Sequence, residues 1–363
     1  MTFKSSYSHL LLAYLSHLSL IISTALLMMS SVMMSSALAN PWLLPPDTVV
    51  ISGRYDYAYA NQEFLANDGS LTPFSLNGEY QSSSYTLGAR IGISDYIEVE
   101  ASLPFKTVSY EADPLILLAT DEGMGTTFDF YQDNIINFNQ TSMGLGDLIL
   151  AARFKTSSYP IASSLELRIM APTGYNAPEG TFGTDPNTVD DFVDQAGELV
   201  NPSNISDDVT LGDGVFSFQP ILHLGYGTAS GFFVRGSGGI QFRNQGAGDL
   251  FTGELKLGQL FTSWFLAYAG IYTEKTLIEG RPIGVSVAAE DASLPASEYS
   301  GLNNLKPIVV NLDRDQFMLP VGLLFRPLPT VDIVFSYAPV LSGRNVAKSH
   351  TISVGVNVVS MLK

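Results

Sequence analysis

Strict alternation of apolar and polar residues between Tyr85 and Pro104 is the feature that most constrains this chain. In the stretch YTLGARIGISDYIEVEASLP, apolar residues occupy almost every second position, and Arg90, Glu98 and Glu100 fall between them. Side chains alternate across a strand with a period of two, so the stretch predicts two strands joined by a tight turn at 94–96. One face of this hairpin must meet apolar surroundings, and the other must accept charges.

The first 39 residues differ from the rest of the chain. Lys4 is their only Lys or Arg, and they contain no Asp or Glu. An apolar run over about 10–34 is followed by Ala37-Leu38-Ala39, a small-x-small cleavage pattern, and then by Pro41. These features are typical of a secretory signal peptide, so we expect 1–39 to be removed and 40–363 to form the mature protein outside the cytoplasm. An uncleaved membrane anchor is the alternative, because the run is long enough to span a bilayer.

The mature chain contains twelve segments with a period of two, at 49–61, 82–93, 97–109, 144–156, 161–173, 215–227, 232–243, 249–259, 264–273, 316–326, 331–340 and 350–360. Short connections alternate along the chain with long ones such as 62–81, 110–143, 174–214 and 274–315. Outer-membrane barrels combine short periplasmic turns with long external loops. We therefore predict an all-β fold, a transmembrane antiparallel up-and-down barrel of about 12 strands, in the bacterial outer membrane with both mature termini periplasmic.

The charged residues of these segments never fall on the apolar face. A charge on the lipid side of a barrel costs about 2–4 kcal/mol at mid-depth, so the charged face should point into the lumen. The charges act either as the wall of a permeation path or as paired charges that fill a narrow lumen. The candidate lumen-lining residues are Arg54, Asp56, Arg90, Glu98, Glu100, Asp147, Arg153, Lys155, Glu166, Arg168, Arg235, Arg243, Glu254 and Lys256.

Aromatic residues on the apolar faces sort towards the two ends of the segments, as expected for girdles at the two membrane interfaces. The predicted external girdle is Tyr59, Tyr85, Phe105, Phe216, Phe242, Phe251, Tyr272, Phe317 and Tyr337. The predicted periplasmic girdle is Phe154, Tyr226, Phe232, Trp264 and Phe325.

The second long loop is unusually apolar for an external connection. Leaving large apolar side chains in water forfeits about 1.5–3 kcal/mol each, so we expect this loop to dip into the barrel mouth. It serves either as a hydrophobic capture site or as a plug. The candidate residues are Leu115, Ile116, Leu117, Leu118, Phe128 and Phe130.

The stretches GLGDLILAARFK (144–155) and LELRIMAPTG (165–174) carry a resemblance to a known family. They resemble the outer-membrane β-barrel family named for the meta-pathway of phenol degradation. That family is similar to the long-chain fatty-acid transporters. The shared marks are a Gly-x-Gly-Asp strand start, a basic strand end, a short turn and a strand closing in Pro-Thr-Gly. The resemblance implies passage of small hydrophobic or aromatic compounds.

Composition restricts the function further. The formal charge of −17 argues against nucleic-acid binding, and the absence of cysteine excludes disulfides and Cys metal sites. Acidic loop residues could bind divalent cations, but no spaced calcium-loop pattern is present, so we expect solvated charge, no metal and no cofactor. The expected partners are outer-membrane lipid, a small-molecule solute and the outer-membrane assembly machinery.

No catalytic motif stands out, because the mature chain has only His223 and His350 and lacks a GxSxG elbow. We therefore predict a passive channel for small, hydrophobic or aromatic solutes rather than an enzyme. Three alternatives come from other classes: a barrel hydrolase using His223, an adhesive or structural barrel using its acidic loops, and a secreted soluble β protein.

Overall fold

The chain forms a closed antiparallel barrel of twelve strands, as the alternation predicts. A computed structural model describes residues 41–362 except 114, 117–134, 137–138, 176, 181–184, 192–208 and 292–304. The predicted signal peptide, 1–39, lies outside the described residues. The strands are β1 (Thr48–Ala60), β2 (Glu79–Ser94), β3 (Ile97–Glu111), β4 (Gln140–Leu145 and Leu148–Ser157), β5 (Ala162–Ala171), β6 (Ser217–Gly227), β7 (Phe232–Arg243), β8 (Leu250–Thr262), β9 (Phe265–Thr276), β10 (Asp315–Met318 and Val321–Leu328), β11 (Val331–Arg344) and β12 (His350–Met361).

Each strand pairs with its neighbour in sequence, and β1 closes the barrel against β12. The closing register runs from Thr48 opposite Met361 to Tyr59 opposite His350. Two strands, β4 and β10, are interrupted, and a hydrogen bond between a glycine and a proline bridges each break. Gly146 donates its N–H to the carbonyl of Pro104 inside the β4 break, and Gly270 donates to Pro320 inside the β10 break (both 2.8 Å). The closed wall leaves no free sheet edge in the barrel.

The two ends of the barrel are built differently. Short turns join the strands at one end, which we call the short-turn end. The long-loop end carries a 3₁₀ turn at Ser75–Asn77 and further short strands, which the alternation does not predict. These are Gln62–Phe64, Leu71–Pro73 and Val346–Ala347 in one small sheet, Leu115–Ile116 with Ile135–Ile136, and Pro282–Ala289 with Leu305–Asn311.

The outer wall is apolar and the inner wall is polar. On β2, for example, Leu87 is 70% exposed on the outer face, whereas Arg90 is only 6% exposed. The same separation holds on β12, where Ile352, Val354, Val356 and Val358 are all exposed apolar residues. A monomeric soluble protein rarely exposes such a continuous apolar belt, so this wall is built to meet lipid. Within the described part of the chain, no helix has the length and hydropathy needed to cross a bilayer.

The side chain of Tyr272 points the opposite way from the prediction. It donates a hydrogen bond of 2.6 Å to Glu274 and lines the interior cavity, whereas its neighbour Ile271 is exposed on the outer wall. Inward and outward residues alternate along β9 with Glu274 on the inside, which fixes Tyr272 inside too. The ring belongs to the polar interior, so its assignment to the external girdle is wrong.

Candidate functional site: the charged interior of the barrel

Five charged or titratable side chains form a compact network inside the barrel, which we call the central cluster: Glu98, Arg153, Glu166, Arg168 and His223. Arg153 joins two carboxylates, with Nη1 2.6 Å from Glu98 and Nη2 2.7 Å from Glu166. The Glu166 carboxylate also lies 2.6 Å from Nη2 of Arg168 and 2.9 Å from Nε2 of His223. Buried charges are tolerated when they are paired and hydrogen-bonded in this way.

Strand register brings the central cluster together. Glu98 on β3 lies directly opposite Arg153 on β4, and Arg153 lies directly opposite Glu166 on β5. Side chains directly opposite each other on antiparallel strands have Cβ atoms about 4.5–5.5 Å apart, which suits ion pairs. The inward row of charges is therefore a consequence of local alternation and of the pairing of β3, β4 and β5.

Residues 41–46, which we call the N-terminal strap, enter the barrel at the short-turn end. The N–H of Leu44 donates to Glu98 at 2.7 Å, and Leu44 packs against Val50 and Val359. A Cβ at Gly92 on β2 would overlap the carbonyl of Pro45, and one at Gly225 on β6 would overlap the ring of Pro41. Since β2 and β6 are not neighbours in the wall, the strap crosses the lumen. It narrows the lumen between the central cluster and the short-turn end.

A cavity of about 250 Å³ lies in the interior on the loop side of the central cluster. Its wall includes Arg168 and His223 from the central cluster, Lys106 and Asp147 from the strand region, and neutral polar side chains of β6–β9. Loop residues Asp213 and Arg314 also line it. The cavity is smaller than the roughly 300–1,000 Å³ typical of sites for drug-sized ligands, so it suits a small solute.

Loop residues make ion pairs beside this cavity. Asp213 lies 3.0 Å from Arg243 and 2.7 Å from Arg314, and Arg314 also lies 2.7 Å from Glu274. Burial raises the pKa of the Asp213 carboxyl, but the charges of Arg314 and Arg243 lower it by more, so its pKa lies below the ordinary value. Asp213 is therefore an anion at neutral pH and fastens its loop to the barrel.

Apolar packing holds the loops together at the long-loop end. One cluster contains Val215, Ala247, Ile283 and Leu312, with Gly180 donating its N–H to Ile283 at 3.2 Å. A second cluster, which we call the mouth cluster, contains the buried residues Val108, Val209 and Leu211 packed against Tyr80, Tyr110 and Tyr175. Burial and a hydrogen bond to Asp147 raise the pKa of Tyr175. The described loop segments thus cover part of the mouth.

The predicted lumen-lining residues differ in how deeply they are buried. Those that are nearly or fully buried are Arg90, Glu98, Arg153, Glu166, Arg235, Arg243, Glu254 and Lys256. Glu100 and Arg168 are mostly buried, and Asp147 lines the cavity. Lys155 is only partly buried, and Arg54 is exposed, with its Nε 2.8 Å from Asp56. Glu98, Glu166 and Lys256 each pair with a buried charge of opposite sign, and the role of this set as the wall of a permeation path stays a prediction.

The predicted capture residues are largely beyond what the structure describes. The backbones of Leu115 and Ile116 pair with Ile136 and Ile135 in a small two-stranded sheet. Leu117, Leu118, Phe128 and Phe130 lie outside the described residues. Capture by this loop stays a prediction.

Nε2 of His223 lies 2.9 Å from the carboxylate of Glu166. Its cross-strand neighbours on either side are Ser164 and Ser237, but the Ser164 hydroxyl and the Nδ1 atom of His223 have no hydrogen-bond partner among the described residues. A serine hydrolase needs a nucleophile within hydrogen-bond reach of its base. Within the part of the chain that the structure describes, no hydrogen bond joins His223 to a serine, so the hydrolase hypothesis has no support from this geometry. Among the described residues, no group of three or more His, Asp or Glu could hold a metal ion.

Neutral polar residues are absent from the predicted lumen-lining set, which contains charged residues alone. Gln219, Gln241, Ser237 and Thr252 share the polar faces of their strands with the charged residues and line the cavity. Asp213 and Arg314 lie in connections without periodicity, and no local pattern could have placed them against the cavity. The N-terminal strap was missed for the same reason.

No protein-family model and no curated protein matches the sequence. The solved structure of the COG4313 outer membrane channel from Pseudomonas putida F1 is similar, with a TM-score of 0.57 and 11% identity over 90% of this chain and 100% of that chain. The CymD monoaromatic hydrocarbon channel has a TM-score of 0.42 and 10% identity, covering 88% of this chain and 89% of that chain. The KdgM porin in complex with disordered oligogalacturonate has a TM-score of 0.39 and 7% identity, covering 85% and 98%. The two lower scores carry no argument, and the resemblance to the phenol meta-pathway family stays a prediction. The first similarity shows that the chain has the fold of a solved outer-membrane barrel.

Proposed function

We propose that this protein is an outer-membrane channel for the passive passage of small solutes. The observation that carries the proposal is the combination of an apolar outer wall with a charged interior that contains a cavity of about 250 Å³. The apolar outer wall is stable in contact with lipid, and the charged inner wall is stable in contact with water. On this proposal, residues 1–39 are a signal peptide, the short-turn end is periplasmic, and no catalytic residue or cofactor is required.

The path would begin between the loops, pass the cavity and the central cluster, and leave past the N-terminal strap. The strap and the loops narrow its two ends, which favours small molecules over large ones. Passage through such a path needs binding that is weak enough to allow release. The mechanism is therefore diffusion between weak sites, without coupling to an energy source.

Hydrophobic or aromatic solutes are the second candidate within this function. The mouth cluster supports them, because Tyr80, Tyr110 and Tyr175 surround apolar residues there, and Phe74 packs edge-on against Tyr110 at 5.5 Å. An aromatic solute would enter through this cluster. It would then have to pass the charged interior, or leave sideways through the wall.

Reconstitution of the purified protein tests the channel. Envelope fractionation should place it in the outer membrane as a heat-modifiable band. In planar bilayers it should give discrete conductance steps, which heat-unfolded protein from the same preparation should not give. A folded, membrane-inserted protein that gives neither conductance nor solute flux in liposomes would overturn the proposal, as would a soluble periplasmic pool.

A further inference from the structure

The cavity on the loop side of the central cluster has a wall chemistry that selects a class of solute. We propose, resting on the channel function above, that this cavity is a binding site for small uncharged polyhydroxyl solutes, such as polyols and monosaccharides. Three observations carry the inference: the balance of charge, the neutral hydrogen-bonding groups and the acceptor atoms without partners.

The charges around the cavity are balanced. Three cationic and four anionic side chains line it. Arg243, Lys256 and Glu166 pair with three of them, which gives five charges of each sign. Asp213 is shared between two arginines and Arg314 between two carboxylates. An ionic solute would have to compete with these internal partners, whereas an uncharged solute leaves them in place.

Neutral polar groups fill the space between the charges. The amide of Gln219 donates to Thr252 at 2.7 Å, and Gln241 donates to Ser217 at 3.0 Å. The side chains of Ser237 and Tyr272 lie on the same wall. Each of these groups can both donate and accept, as the hydroxyl groups of a polyol do. A hydrocarbon would displace water from them without replacing its hydrogen bonds, which loses affinity.

Two buried lining residues have spare acceptors. Oε1 of Glu254 pairs with Lys256, while Oε2 has no hydrogen-bond partner among the described residues. In His223, Nε2 faces the carboxylate of Glu166 and so carries the proton, which makes Nδ1 of the neutral ring an acceptor, and it too has no partner in the described part of the chain. A ligand with several O–H donors can hydrogen-bond to such acceptors, whereas the carboxylate group of an anionic solute has no proton to donate.

The test compares arabinitol with arabinonate, which are similar in size and differ in charge. In liposome swelling, the full-length protein should pass arabinitol about tenfold faster, which corresponds to roughly 1.4 kcal/mol of discrimination. In calorimetric titrations of detergent-solubilised protein, arabinitol should give a binding heat and benzyl alcohol should give none. Equal rates, a faster rate for arabinonate, or binding of benzyl alcohol alone would overturn the inference while the channel stands. Passage of neither solute would instead count against the channel function itself.

Three variants locate the effect. Ser237→Leu places an apolar side chain in the cavity and should lower arabinitol binding and flux. Ser83→Leu is the matched control, because Ser83 contacts Tyr55 on the outer wall, and it should leave both unchanged. Asp213→Asn removes the carboxylate shared by Arg243 and Arg314 and should shift the preference towards arabinonate. If Ser237→Leu and Ser83→Leu are both folded and behave alike, the cavity is not the binding site.

Discussion

Replacing Arg153 by Met should destabilise the barrel far more than the same change at Arg54. Arg153 is buried and joins Glu98 and Glu166 at 2.6 and 2.7 Å. Removing one partner of a buried ion pair costs about 3–5 kcal/mol, because the remaining charges are left uncompensated. Arg168, His223 and the N–H of Leu44 still serve the two carboxylates, so we expect the lower part of this range.

The control at Arg54 has the same side chain and, among the residues that the structure describes, one ion-pair partner, Asp56, but its side chain is 45% exposed. Exposed pairs contribute about 0–1 kcal/mol. A difference of about 3 kcal/mol between the two variants corresponds to roughly a hundredfold change in the folding equilibrium. Combining Arg153→Met with Glu98→Gln should recover part of the loss, because it removes one uncompensated carboxylate.

The assay is urea unfolding of the protein in lipid vesicles, followed by the fluorescence of Trp42 and Trp264, the only two tryptophans. Heat-modifiable gel migration checks that each variant inserts. If Arg153→Met costs no more than Arg54→Met, the central cluster is solvated and the argument from its burial is wrong.

Three further predictions address the wall, the strap and the loops. Val354→Arg should reduce barrel assembly by placing a charge in lipid at a cost of about 2–4 kcal/mol, whereas Ser353→Arg on the inner face should be tolerated better; equal yields in a folding assay would refute the face assignment. Deleting 42–46 should raise single-channel conductance, and an unchanged conductance in a folded barrel would show that the strap does not narrow the path. The pKa of Asp213 lies below its usual value of about 3.9, so its ion pairs contribute stability above about pH 4 that is lost as the pH falls through the lower, folded value. Protease protection of the loops should therefore persist at about pH 5 and decline in stronger acid, and Asp213→Asn should weaken it already at neutral pH; protection lost equally in both proteins would contradict the role of Asp213.

The strands and their two faces could be predicted because both depend on local alternation. Arg90, Glu98 and Arg153 are inward simply because their neighbours are apolar. The prediction for Tyr272 was wrong because a tyrosine suits either face, and only Glu274 two residues later indicates its side. An aromatic side chain is compatible with both lipid and a polar interior, whereas a charged side chain strongly favours the polar interior.

Features made by distant parts of the chain could not be predicted in this way. Pro41 and Pro45 indicate where a helix cannot continue, but nothing local shows that the strap crosses the lumen to reach β2 and β6. The pairing of Asp213 with Arg314 joins two loops about a hundred positions apart in sequence, without a periodic pattern in either. Such contacts depend on how the closed wall brings the loops together.

The pairing of β1 with β12 makes barrel closure depend on the synthesis of both strands. Thr48 and Met361 lie near opposite ends of the chain, so this seam is the contact of highest sequence separation and carries the largest loop-closure cost. A nascent chain that lacks His350–Met361 has two unpaired strand edges, which invite pairing with other chains. Closure of the wall therefore requires β12: a polypeptide truncated before this strand has an open barrel and is exposed to aggregation and proteolysis before it reaches a bilayer.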